Sequence, residues 1–487
     1  LKSAAVAASA VALIPLVYLG VRVGEAGWDR ITGEILTERT ALLAGRSVAL
    51  AAVVTVACVV IGVASAFLVT RTDLPGRRVF GVLAALPLAV PSYVAAFAWV
   101  STVDDFEGFW DAALVLTACS YPYVYLPVAA ALIGADPAQE EVARSLGRRP
   151  FLSVTMRQIR PAIAAGGLLV ALYVLSDFGA VSIVRVDVFT RAIFTSINLG
   201  FDRTGALVLA TVLVLLTLAL LVGEHMTRTR GARYARGSLR THARVRVGWI
   251  PVPFLALVSA VALGVPAYAL ARWFVAGVSR PGSVAEVVTA ASQSFVAAAL
   301  GGVVTLLLAL PVGLLNARSP GPLATVLDRI AYVSHALPGL VIGLSLVFFG
   351  IRVAYPLYQT IWLLALAYAA LFLPLAVGAV SSAAAQSPPV LEEVARSLGR
   401  SPLFVFRSVT VPLAAPGIGA GAALVFLTCM KELPATLLLR PTGFDTLATE
   451  LWTHTDTAEF AAAAPYALVL VLVSALPTWW LSWKSRL

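Results

Sequence analysis

Residues 140–147 read Glu140-Glu141-Val142-Ala143-Arg144-Ser145-Leu146-Gly147, and residues 392–399 read Glu392-Glu393-Val394-Ala395-Arg396-Ser397-Leu398-Gly399. The second stretch repeats the first letter for letter, 252 residues further on. Each is a charged, helix-forming segment set between long apolar runs. A polar helix in that setting needs a partner on the aqueous side, and two copies imply two equivalent partners.

The surroundings are membrane-like. Of 487 residues, 60% are hydrophobic and 12% charged, and mean hydropathy is +0.91. A soluble chain of that length could not hide so much apolar surface. Runs of about twenty apolar residues, enough to cross a bilayer, recur throughout. About twelve spans are expected, near 4–23, 47–69, 79–100, 110–134, 162–184 and 204–223, then 248–275, 294–316, 330–353, 357–383, 413–439 and 461–483. The fold class is therefore all-α and polytopic. Residues 4–23 read as a first span rather than a cleaved leader.

Outside the octapeptides the duplication continues. Ala85-Leu86-Pro87 matches Ala336-Leu337-Pro338, and Leu126-Pro127 matches Leu373-Pro374. Ser176-Asp177-Phe178-Gly179-Ala180 stands 255 residues before Lys431-Glu432-Leu433-Pro434-Ala435, an offset that also pairs Arg185 with Arg440 and Phe189 with Phe444. The expected organisation is a six-helix half at 1–224, a linker at 225–247 and a second half at 248–487. Six is even, so the halves enter the membrane with the same orientation, as a parallel repeat with a solute cavity at midplane.

Net charge is +10, concentrated in short loops. Residues 225–247 hold Arg228, Arg230, Arg233, Arg236, Arg240, Arg244 and Arg246 with no acid, which marks the linker as cytoplasmic. Arg71, Arg77, Arg78, Lys484 and Arg486 place another loop and the C-terminus on that side, and an even span count puts the N-terminus there too. Topology accounts for the arginine block, so anionic lipid is the expected contact and nucleic acid is not. Cys58, Cys119 and Cys429 lie in apolar runs, and the four histidines show no ligand spacing, so neither a disulfide framework nor a metal site is expected.

The repeated segments are built to be short, rigid helices. Asp136-Pro137 supplies an N-cap and a first-turn proline, with Gln139 placed for a capping box, and Ser387-Pro388 opens the second copy in the same way. Gly147 and Gly399 suit a left-handed stop. Val142, Ala143 and Leu146 form one apolar face, as do Leu391, Val394, Ala395 and Leu398. Resting such a helix on lipid head groups is disfavoured by its acidic start, because the inner leaflet is itself negative. Helix-in-groove recognition by a protein fits better.

Glu-Glu-Val-Ala-Arg-Ser-Leu-Gly followed by Pro402, Phe406, Val409, Pro412 and Pro416 resembles the EAA loop of importer-type ABC transporter permeases. The second loop, 387–418, follows the pattern throughout. The first, 136–163, lacks about three residues after Pro150 and has Arg157 where the second has Pro412, which predicts a shorter or differently angled helix. The resemblance implies a type I importer fold in the bacterial cytoplasmic (inner) membrane. It implies that two copies of an ABC ATPase dock on Glu140, Glu141, Ala143, Gly147, Glu392, Glu393, Ala395 and Gly399. ATP and Mg would sit on that ATPase, and a periplasmic or lipid-anchored binding protein would deliver the solute. The chain itself has three lysines, none in a phosphate-cradling glycine loop, so no cofactor and no ATPase activity are expected of it.

Asp177 and Glu432, each followed two residues later by a helix breaker, Gly179 or Pro434, are candidates with Lys431 for a gate or translocation pathway. A carboxylate inside a span costs about 2.5–3.5 kcal/mol and so faces protein or water. The competing reading is structural: each acid caps the following loop, or pairs with Arg185 or Arg440. The wording around both acids is similar to the fused permeases of the ferric-iron uptake group, with thiamine, phosphonate and polyamine permeases as near relatives. A secondary transporter of two six-helix halves is the rival from another class. It has no use for duplicated cytosolic helices.

Overall fold

The computed structural model describes residues 2–198, 200, 203–227, 244–277, 283–335 and 337–484. Arg228, Arg230, Arg233, Arg236 and Arg240 of the linker lie outside the described residues. Among those described, nine helices are long and apolar enough to cross a membrane. A tenth span is a bent pair, Arg77–Ala89 and Ser92–Val100, meeting at 94°. Two shorter apolar helices, Gly339–Arg352 and Phe460–Ala475, stand where the two remaining spans were expected.

Proline sets the breaks. Pro87 lies in a 3₁₀ turn, Leu86–Ala89, and Pro91 is the N-cap of Ser92–Val100. Pro338 is likewise the N-cap of Gly339–Arg352. Each removes a backbone donor, so the helix ends and restarts in a new direction. The spans expected at 162–184 and 413–439 are also interrupted. Met156–Ser176 is followed by a short helix, Gly179–Ile183, and Val411–Met430 by Pro434–Leu439.

By packing, the chain forms two compact units. One contains Leu1–Ile35, Ser196–Val214 and Gly282–Glu450; the other contains Leu36–Thr195, Leu215–Pro281 and Leu451–Leu487. Both have a three-helix centre. In the second unit Glu38–Arg71 packs on Pro122–Gly134 and Met156–Ser176; in the first, Ser283–Arg318 packs on Ile361–Gln386 and Val411–Met430. Glycine allows the close approach at matching positions. A Cβ at Gly166 would lie 2.7 Å from the Tyr123 carbonyl oxygen, and one at Gly421, 255 residues on, would collide with Ala379.

Each unit borrows an outer helix from beyond the duplication boundary. Lys2–Ala26 packs on Ser283–Arg318, Pro322–His335 and Gly339–Arg352, with Tyr18 edge-on to Phe349 and Arg22 over Phe348. In the other unit Val265–Gly277 packs on Ser92–Val100 and Phe460–Lys484, and Trp273 donates to the Ser101 carbonyl at 3.3 Å.

Candidate functional site

Both repeated octapeptides lie on helices of equal length, Pro137–Ser145 and Pro389–Ser397, nine residues each. The residues missing from the first loop therefore come out of its connector and leave the helix intact. The second connector spends them on an extra turn, Pro402–Val405. After that the two loops converge on the same unusual element, a wide π-helical turn at Phe151–Thr155 and at Phe406–Thr410.

The helix starts differ. Asp136 accepts from the Ala138 N–H at 3.0 Å, as an N-cap should. Ser387 does not do the same: the second helix begins one residue later than Ser387-Pro388 implied, in register with the first. Pro388 is its N-cap, and Ser387 Oγ is buried with no hydrogen-bond partner among the described residues. Gln139 closes no capping box; its Oε1 accepts from Gln158 Nε2 at 2.8 Å. The stops agree with expectation, with φ of 66° at Gly147 and 75° at Gly399. There the N–H groups of Arg148 and Arg400 return to the carbonyls of Ala143 and Ala395.

The acidic pairs point two ways. Glu140 and Glu392 are buried, whereas Glu141 and Glu393 are exposed. Glu140 Oε1 accepts from Arg71 Nη2 at 2.9 Å and from Thr155 Oγ1 at 2.8 Å, with Arg144 Nη2 3.9 Å from Oε2. Glu392 repeats this set. Its Oε1 lies 2.7 Å from Arg318 Nη2 and accepts from Thr410 Oγ1 at 3.0 Å, and its Oε2 accepts from Arg396 at 3.2 Å. Arg318 Nη1 also donates to the Ser387 carbonyl at 3.0 Å.

The apolar face divides along the same line. Ala143 is buried and Ala395 half-buried, on the side of the clamped acids. Val142, Leu146, Leu391, Val394 and Leu398 face outward, Leu146 and Leu398 at 68% and 73% exposure. Each helix thus presents an exposed aliphatic ridge beside one exposed carboxylate. Sequence reasoning marked Arg71 only as a topology signal and passed over Arg318. The available clue was that each ends a long apolar run, at positions 247 apart.

Asp177 and Glu432 are both buried and both cap the short helix that follows. Asp177 Oδ2 accepts from the N–H groups of Ala180 at 3.0 Å and Val181 at 3.4 Å, and Oδ1 from the Ser92 hydroxyl. Glu432 accepts from the N–H groups of Ala435 and Thr436, each at 2.9 Å, and from Thr436 Oγ1 at 2.6 Å. Gly179 opens the first short helix, against Tyr93, where a Cβ would lie 2.7 Å from the Tyr93 Cβ. Pro434 is the first residue of the second, and Lys431 is the half-buried C-cap of Val411–Met430. Neither acid meets the arginine considered for it. Arg185 lies 3.7 Å from Glu107, and Arg440 pairs with Asp445.

Past the short helices, Ser47 Oγ accepts from the Phe189 N–H at 3.1 Å and Ser294 Oγ from the Leu447 N–H at 2.8 Å. The structural counterpart of Phe189 is thus Leu447 and not Phe444, because the second loop is three residues longer. No group of three His, Cys, Asp or Glu side chains among the described residues could hold a metal ion.

Residues 306–486 match the family described as "Binding-protein-dependent transport system inner membrane component". The chain is 37% identical over 475 residues to the Fe(3+)-transport system permease protein FbpB 2 of Haemophilus influenzae, covering 95% of this chain and 94% of that protein. It is 34% identical over 155 residues, 31% of this chain and 57% of the relative, to PhnV of Salmonella typhimurium, a protein named for 2-aminoethylphosphonate transport. The sulfate transport system permease protein CysT of Escherichia coli is 28% identical over 249 residues, 46% of this chain and 90% of CysT.

Proposed function

The chain belongs to the family of binding-protein-dependent transport system inner membrane components, and from that membership we propose that it carries ferric iron inward as the permease of an ATP-driven importer. The choice of ferric iron follows the relative that matches nearly the whole chain; the phosphonate- and sulfate-named relatives match less than half of it. Import needs no iron ligands in the pore if an external binding protein presents the ion and the permease only opens a way for it. The organisation proposed is two parallel six-helix halves, 1–224 and 248–487, joined by a cytoplasmic linker at 225–247 that meets anionic lipid. Both termini lie on the cytoplasmic side.

Two copies of a separate ABC ATPase, carrying ATP and Mg, dock on the loop helices. The observation that carries this reading is the duplicated aliphatic ridge, Val142 and Leu146 beside Glu141, and Leu391, Val394 and Leu398 beside Glu393, all exposed. An apolar ridge on an anchored helix fits a groove on a partner protein. The short helices capped by Asp177 and Glu432, with Gly179, Lys431 and Pro434 around them, form the gate, because they interrupt spans at matching places in the duplication.

Affinity purification of the chain from its native membrane checks the docking. Wild-type chain should bring down a stoichiometric ATPase, and Glu141→Arg with Glu393→Arg should release it while the permease stays folded. Retention of the ATPase by the doubly reversed chain would remove the docking reading.

A further inference from the structure

We infer that each acidic pair divides its labour: Glu140 and Glu392 are positioning residues that clamp the loop helix to the spans behind it, and only Glu141 and Glu393 meet the partner. This rests on the docking reading above and specifies how that surface transmits force.

The clamp joins three elements at one carboxylate. Arg71 and Arg318 end the long helices Glu38–Arg71 and Ser283–Arg318, of 34 and 36 residues. At 1.5 Å per residue each is roughly 50 Å long, well beyond the ~30 Å hydrocarbon layer, so its end reaches the level of the loop. Thr155 and Thr410 close the π-helical turns that lead directly into Met156–Ser176 and Val411–Met430. Glu140 and Glu392 sit on the loop helices themselves. A push on either loop helix is therefore delivered to two spans at once.

The same Arg–Glu–Thr set closes in both copies although the chain between its members differs in length. Arg71 and Arg318 are 247 residues apart, Glu140 and Glu392 are 252, and Thr155 and Thr410 are 255. The spacing between its members differs from one copy to the other while its chemistry is the same twice. In each unit a wide turn ends on the threonine whose hydroxyl reaches the carboxylate. A buried ion contact backed by a hydroxyl hydrogen bond to the same carboxylate is stiff, which suits a joint that must not yield under load. An exposed acid held only by its own helix would have no such stiffness.

The test uses the full complex in proteoliposomes: this chain, the ATPase that co-purifies with it, and its binding protein. Two readouts separate the roles, retention of the ATPase and the ratio of binding-protein-stimulated to basal ATP hydrolysis. Arg71→Gln and Arg318→Gln should keep the ATPase bound while that ratio falls about tenfold, the worth of one buried contact between an arginine and a carboxylate. Exchanging the partners, Arg71→Glu with Glu140→Arg, should recover most of it, which a merely misfolded loop would not allow. Where an arginine variant fails to fold, Thr155→Val and Thr410→Val remove one donor each and should lower the ratio in the same direction. An unchanged ratio in the threonine variants, or loss of the ATPase from folded clamp variants, overturns the division of labour. The reversed Glu141 and Glu393 variants keep the two failures apart. If they retain the ATPase, docking itself is wrong. If they release it while the clamp variants stay fully coupled, only the clamp is wrong.

Discussion

Asp73 accepts the backbone N–H groups of Val247 at 2.7 Å and Gly248 at 3.2 Å, which ties the end of the linker to the loop after Arg71. Beside it Val245 donates to the Arg71 carbonyl and accepts from the Asp73 N–H. The two backbone donors, Val247 first and then Gly248, hold the Asp73 carboxyl below its ordinary range. A lowered value means that the unfolded state binds the proton more readily, so this contribution to stability is complete above the ordinary carboxylate pKa of about 3.9 and is lost as pH falls through the folded value. Amide exchange at Val247 and Gly248, corrected for the intrinsic rate, should stay slow from pH 7 to 5 and accelerate in more acidic solution. Asp73→Ala should be fast throughout. None of this was visible in the sequence, because Asp73 and Val247 are 174 residues apart and neither has a local motif.

Among the elements, the short helices Gly179–Ile183 and Pro434–Leu439 depend on their caps. Removing an N-cap acceptor costs about 0.5–2 kcal/mol, so Asp177→Ala and Glu432→Ala should lower the thermal midpoint. Asp177→Asn can keep one oxygen toward the Ala180 and Val181 N–H groups and should stay near wild type in stability and ferric-ion uptake. Glu432→Gln sets an amide NH2 against either the Ala435 or the Thr436 N–H and should lose part of its cap. If Asp177→Asn keeps stability and loses uptake, the charge itself serves the pathway. Sequence reasoning saw these acids and the breakers after them, and named capping as one of two readings, because both signals are local. It also read Asp136 correctly, since an Asx cap reaches only two residues ahead. It missed at Ser387, where Arg318, 69 residues away, holds the carbonyl and the helix starts a residue late. The clamps were out of reach for the same reason: Arg71 is 69 residues from Glu140. The slip from Phe444 to Leu447 was hidden because a constant offset through Arg440 gave no sign of the longer loop beyond it.

At the scale of the whole molecule, the duplication and the packing follow different boundaries. The repeat divides at the linker, yet each unit is completed by helices from both sides of it. Cleavage at a protease site inserted between residues 228 and 243 should therefore leave both fragments co-purifying in mild detergent. Clean separation into two pieces would contradict the packing. Hydropathy delivered nine of the expected twelve spans as membrane-crossing helices among the described residues, since each depends only on its own composition. A bent pair and two shorter apolar helices stand where the others were expected. Hydropathy could not say which helix packs on which.

That exchange of outer helices bears on how the protein is made. Lys2–Ala26, with Ala5, Ala8, Ala12 and Leu19 buried, leaves the ribosome well before the helices it packs on, the earliest of which begins at Ser283. At about 5–20 residues per second, the newborn segment waits roughly 13–50 s for them. During biogenesis it needs a chaperone, the insertase or lipid to cover that face, and a shortage of such an escort would appear first as degradation of the amino-terminal segment.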